Sequence, residues 1–240
     1  MRVLLNKIEG IQEAIEAMFF SKRSWNEELH NLVSETCDRT LDNHGFIKSN
    51  ATFADFQQLN KWINMVLRMT KNHITIGRFI DLSFIVIGLH RGGQDDWDSH
   101  AHRFENRIIR NSTRLATFTD EKSDFYKDKI ITTDEALDIL QMQAPDKIEY
   151  NGNIYVKTCN GYILEEYKNN KDVKRGLYMM SIPSNFIFKC NLTQFAHVYK
   201  ERNSEGTANP EVKDCAEMCL KLINEKYPAI NKDLMLAIKN

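Results

Sequence analysis

Apolar residues recur along this chain in two rhythms, one helical and one extended. From Ala54 to about Met69, Phe56, Leu59, Ile63, Val66 and Leu67 return every three or four residues, which predicts a long amphipathic helix. A shorter helix is expected over about Ile11–Phe20. Ser24-Trp25-Asn26-Glu27 has the spacing of a capping box and opens another helix toward Cys37. Met1–Leu5 reads as a first strand. Phe79–Leu89, rich in β-branched and aromatic residues, reads as a central strand ended by Gly92-Gly93.

Asn43-His44-Gly45 marks a turn, and Asp95, Asp96 and Asp98 stand where a helix N-terminus would favour negative charge. Trp97–Arg114 lacks proline and glycine and reads as helix, at least in part. Within Ile148–Tyr167, Asn151-Gly152 and Asn160-Gly161 flank Ile154-Tyr155-Val156, predicting short strands or a hairpin. Helical patterns return over Val173–Met180 and Phe186–Lys200. Asn209-Pro210-Glu211 starts a last long helix, with Asn as cap and Pro in the first turn. Its core face is Val212, Cys215, Ala216, Cys219, Leu222 and Ile223, and it stops before Pro228. No repeat or linker divides the chain, so one α/β domain over residues 1–240 is expected.

Composition narrows the function. The 240 residues can bury a substantial core, and a net charge of −1 gives no bulk attraction to polymeric nucleic acid or an anionic membrane. No stretch reaches the ~18 apolar residues that cross a bilayer. The N-terminus carries no signal-peptide pattern. Five cysteines, an odd number without a C-x-x-C pair, fit reduced buried thiols and a cytoplasmic location. No metal site is expected: His100 and His102 are two apart, which on a helix points them to different faces. There is neither a G-x-G-x-x-G nor a Walker A sequence. Trp25, Trp62, Trp97 and Met179-Met180 read as packing residues.

Arg103, Arg107, Arg110 and Arg114 are spaced four, three and four apart. On a helix they would line one face, and the planar guanidinium fork suits a phosphate. A solvated basic face paired with carboxylates such as Glu105 is the other reading.

The last third carries a further pattern. Val173-Lys174-Arg175-Gly176-Leu177 leads into Asn191-Leu192-Thr193-Gln194-Phe195-Ala196-His197 and on to Glu201-Arg202. Upstream stand His73-Ile74-Thr75-Ile76-Gly77-Arg78-Phe79, Ser83-Phe84-Ile85-Val86 and Ser112-Thr113-Arg114. In order and spacing these segments resemble the flavin-dependent thymidylate synthases, from Ala54 to Pro228. The exception is a turn-rich insertion at about 118–167. The resemblance implies an α/β fold with a central, mostly antiparallel sheet flanked by helices, assembled as a homotetramer. It assigns Ser112, Arg114 and Arg175 to the 5′-phosphate of dUMP, and Arg202 to its uracil ring as the catalytic cation. His73, His102, Arg103, Asn191 and His197 would lie beside FAD.

The chain departs from the family at its signature, Arg-His-Arg, seven residues, then Ser. Counting back from Ser112 gives His102-Arg103-Phe104, and Thr193 replaces the arginine of Asn-Leu-Arg. The implied reaction is transfer of a one-carbon unit from methylenetetrahydrofolate to C5 of dUMP, with flavin supplying hydride and NADPH regenerating it. Two alternatives stay open: a pyrimidine nucleotide hydroxymethylase without flavin reduction, and a non-catalytic nucleotide-binding protein on the same scaffold.

Overall fold

The computed structural model describes residues 1–99, 107–111, 122–158, 161–169, 180–203 and 209–238. In chain order, β1 (Arg2–Glu9), α1 (Ile11–Ser21), α2 (Glu27–Thr40), α3 (Phe53–Thr70) and α4 (Ile74–Gly77) precede β2 (Asp81–His90). Then come α5 (Arg91–Ser99), β3 (Arg107–Arg110), α6 (Thr133–Ile139), β4 (Lys147–Tyr150), β5 (Asn153–Thr158) and β6 (Gly161–Leu164). The chain closes with β7 (Pro183–Asn191), α7 (Leu192–Asn203), α8 (Pro210–Lys226) and α9 (Lys232–Ala237).

β2 sits inside an antiparallel four-stranded sheet of order β1-β2-β7-β3. Alternation sorts its two faces. Leu82, Phe84 and Val86 of β2 and Phe186, Phe188 and Cys190 of β7 are buried under helices. Phe84 stacks on Phe188 with centroids 5.0 Å apart, Phe195 of α7 lies 5.8 Å from Phe84, and Trp97 of α5 meets Phe188 edge-on at 5.1 Å. Four elements are therefore locked around one aromatic cluster. The opposite face carries a charge ladder in which Lys189 bridges Glu9 and Asp81, and Arg107 reaches Asp81 at 2.7 Å.

Most expected elements are present: the first strand, the Ile11 helix, the long α3, the central β2 and the Asn209-capped α8. The turn-rich segment at about 118–167 holds, among its described residues, α6 and a separate antiparallel sheet, β4-β5-β6, with Asn151-Gly152 turning β4 into β5. The four described cysteines are buried and form no disulfide; Cys159 lies outside the described residues. No helix among the described residues is long and apolar enough to cross a membrane.

Five local expectations need correction. Asn26, not Ser24, caps α2, accepting the Leu29 N–H at 2.8 Å. Phe186–Asn191 is strand rather than helix, because its alternating apolar residues fill the sheet between β2 and β3. Arg107–Arg110 is likewise a strand, so the arginine row does not lie on one helix face. Gly92 and Gly93 stand inside the first turn of α5, leaving Asp95 and Asp96 beyond it. Met180 is 55% exposed rather than core. The Val173–Met180 helix falls, Met180 apart, outside the described residues.

The ladder makes a pH prediction. Hydrogen bonds from Lys189 and then Lys7 hold the Glu9 carboxyl at about 2, below its ordinary 4.5. A depressed carboxylate contributes stability that is complete above the unfolded value and is lost as pH falls toward the folded one. Denaturation of Glu9→Gln followed from pH 5 to 2 should therefore show a shallower acid-side loss than the parent. Superimposable profiles would show that the ladder contributes nothing.

Candidate active site

The end of β2 is built irregularly. Gly88 has φ 81°, and the β2–β7 register slips between Ile87 and Leu89. This is a bulge that the Asn185 side chain closes by accepting the Gly88 N–H at 3.0 Å. Past it, Leu89 and His90 are both buried. The bulge thus aims His90 inward. Gly93 lets the ring settle there: a Cβ at that position would stand 2.5 Å from His90 Cε1 and 2.8 Å from Nδ1.

Around the imidazole the hydrogen bonds assign its protons. Nδ1 contacts Glu211 Oε2 in a very short hydrogen bond, and a carboxylate can only accept, so Nδ1 carries the hydrogen. The Asn209 amide Nδ2 lies 3.4 Å from Nε2 and donates to the Tyr126 hydroxyl at 2.8 Å. Nε2 is then the acceptor. Asn209 Oδ1 also accepts the Glu211 N–H at 3.0 Å, capping α8. Glu211 stands in the first turn of that helix, where the backbone dipole favours negative charge. Its second oxygen, Oε1, is buried without a hydrogen-bond partner among the described residues.

His90, Asp95, Asp96, Tyr126, Ser181 and Asn209 face a cleft of about 590 Å³, within the range of roughly 300–1,000 Å³ typical of small-molecule sites. The N–H groups that open α5 do not make it an anion site: Arg91 donates to Ile182 O and Gly92 to Met180 O, each at 3.0 Å. The Tyr126 wall is pinned by Lys122, which reaches Glu135 at 2.8 Å and the Ile130 carbonyl at 2.5 Å. Arg202, only 5% exposed, donates to the Asp96 carbonyl and so abuts the cleft wall. Burial lowers the affinity of its guanidinium for the proton, opposed by Asp96 and Glu201.

The other sequence-assigned positions divide. Asn191 ends β7, and its Oδ1 accepts the Gln194 N–H at 2.9 Å, capping α7. Thr193 donates to the Ile74 carbonyl at 3.0 Å, joining the start of α7 to α4 and thus to exposed His73. His197 is half-buried one turn further on. These three expected flavin neighbours therefore share the α4–α7 junction, while Arg202 lies at the other end of α7, roughly 15 Å along at 1.5 Å per residue. Arg110 pairs with Asp95 and the Gln94 carbonyl. Ser112, Arg114, Arg175, His102 and Arg103 lie outside the described residues. Among the described residues no group of three or more His, Cys, Asp or Glu could hold a metal.

The sequence profile of the thymidylate synthase complementing proteins matches residues 4–229. The chain belongs to that family. No match arises among curated proteins. The fold is similar to a flavin-dependent thymidylate synthase ThyX from Helicobacter pylori complexed with FAD and dUMP, at TM-score 0.55 and 13% identity over 98% of this chain and 99% of that one. It is also similar to a UMP/dUMP methylase, PolB from Streptomyces cacaoi, bound with 5-Br dUMP, at TM-score 0.54 and 12% identity over 95% and 92%. At these identities the likeness carries the fold.

Sequence reasoning missed His90, Tyr126 and Glu211 as site residues of this family member, and read Asn209 only as a cap. The pairs that unite them span 83 to 121 positions, and the one local signal was a glycine pair directly after a strand. Gly93→Ala should displace the imidazole, lowering stability by about 1–3 kcal/mol, the scale of local overpacking, and abolishing the NMR signal of the His90 Nδ1 proton. Unchanged stability with the signal intact would refute the close seat.

Proposed function

We propose that this chain is a divergent flavin-dependent thymidylate synthase, moving a one-carbon unit from methylenetetrahydrofolate to C5 of dUMP. The observation that carries the reading is Arg202, a buried guanidinium at the wall of the cleft, in a member of the thymidylate synthase complementing family. A fixed cation in a desolvated site stabilises negative charge developing on a uracil carbonyl without reorganising. Ser112, Arg114 and Arg175 would hold the 5′-phosphate, with Arg175 supplied by a neighbouring subunit of a cytoplasmic homotetramer.

The α4–α7 junction would hold the flavin by its ring end. Gln194, 1% exposed, has both amide atoms without a partner among the described residues, and it lies one helical turn from His197. A donor and an acceptor side by side suit the imide edge of an isoalloxazine. His73, Asn191 and His197 would complete that contact, with His102 and Arg103 as further neighbours. When bound, FAD supplies the hydride that reduces the transferred carbon, and NADPH restores it. The protein's own part is to orient the nucleotide, polarise its ring through Arg202 and exclude water.

One observation favours a second reading. Thr193 stands where the family has arginine, and its hydroxyl is committed to Ile74, so the start of α7 offers no cation to a flavin pyrophosphate. Loss of flavin with retention of the nucleotide site would leave a hydroxymethylase, in which water rather than hydride completes the reaction.

The purified protein should be yellow, or become so with FAD, and dUMP with methylenetetrahydrofolate and reductant should give a methylated product by mass. Colourless protein that resists FAD and yields the hydroxymethylated mass would transfer the assignment to the second reading. By calorimetry, Arg114→Ala and Arg175→Ala should each weaken dUMP binding by about 1–3 kcal/mol, the scale of a lost charged hydrogen bond. Unaltered affinity in both would remove the phosphate site.

A further inference from the structure

The family assignment leaves the best-formed polar cluster of the cleft without a task. His90 and Glu211 are almost wholly buried, yet the imidazole borders the open volume. Burying a carboxylate and an imidazole is costly unless each is well partnered. Several features converge to hold this pair: the Gly88 bulge, the space left by Gly93, the N-terminus of α8 and the Asn209 cap. Their combined effect is a single tautomer, with Nδ1–H on Glu211 and the lone pair of Nε2 toward Asn209. That is the arrangement of a base: the carboxylate behind the ring stabilises the imidazolium that forms when Nε2 takes a proton.

We infer that His90 is the proton acceptor of this cleft and Glu211 its positioning carboxylate. The inference rests on the nucleotide reading above, and the chemistry of that reading requires such a group. A carbon added at C5 of uracil replaces a hydrogen. The C5=C6 electron pair forms the new bond to the methylene carbon of a folate iminium, whose C=N pair passes to the folate nitrogen. The C5–H bond then breaks, its electrons restore C5=C6, and the proton passes to His90 Nε2. The positive charge left on the ring by the first step is discharged when His90 takes the proton, and Asp95 and Asp96 line the same cleft. Asn209 and Tyr126 fix the edge of the imidazole at which the proton arrives: Tyr126 packs against it at a centroid distance of 4.9 Å.

The test follows deuterium released to water from dUMP labelled at C5, with methylenetetrahydrofolate and FAD-supplemented full-length protein, while dUMP affinity is measured separately by calorimetry. His90→Gln should slow release by ~10²–10⁴-fold, the usual contribution of a positioned base, with dUMP affinity unchanged. Added imidazole should restore release in His90→Ala, and Glu211→Gln should slow it with affinity again retained. If His90→Gln does not fold, Glu211→Gln carries the same comparison. Independently of turnover, diethyl pyrocarbonate should acylate His90, read by peptide mass, and saturating dUMP should block that acylation. Release at the parent rate in His90→Gln, rate and affinity falling together without imidazole rescue, or acylation indifferent to dUMP would each overturn the role of His90 and leave the nucleotide reading standing. A parent protein that does not bind dUMP would instead overturn the nucleotide reading and this inference with it.

Discussion

The antiparallel pairing of β2 with β7 is the constraint from which the site follows. Its register sets Asp81 against Asn191 and His90 against Pro183, so the two strands deliver chemistry to opposite ends of the sheet. β7 ends at Asn191, which caps α7, and α7 turns back to carry Arg202 to Asp96, six residues past the end of β2. One strand pair and one helix reversal thereby place a histidine on the cleft and an arginine behind its Asp96 wall, although 112 residues separate them in sequence. The stacked Phe84 and Phe188 hold that pairing from beneath. Misregister by a single residue would turn those rings to the outer face and dismantle both ends together.

The cleft is built from local irregularities of the scaffold. The end of β2 is not a regular strand: the Gly88 bulge and the space at Gly93 seat His90 against the start of α8. The start of α7 uses Thr193 to clamp α4.

Much of the fold was legible in sequence because it is written in local periodicity. The 3.6-residue stripe of α3, the apolar run of β2 and the Asn-Pro-Glu start of α8 each specify themselves. Phe186–Asn191 misled because its apolar residues suit either a buried strand or a helix, and only the neighbours β2 and β3 decide. Arg107 and Arg110 misled for the same reason: helical spacing has meaning only on a helix, and β3 pairing overrides it. Of the site, the resemblance pointed to Arg202 and to residues at the α4–α7 junction from motif order. It could not reach His90–Glu211, because a hydrogen bond across 121 positions leaves no trace in local pattern.

The most direct test of this account is a crystal structure of the protein with dUMP. The uracil ring should lie between Arg202 and His90, C5 facing Nε2, with the 5′-phosphate held by Ser112, Arg114 and Arg175. A nucleotide bound elsewhere, with the His90 cleft filled by solvent alone, would contradict it.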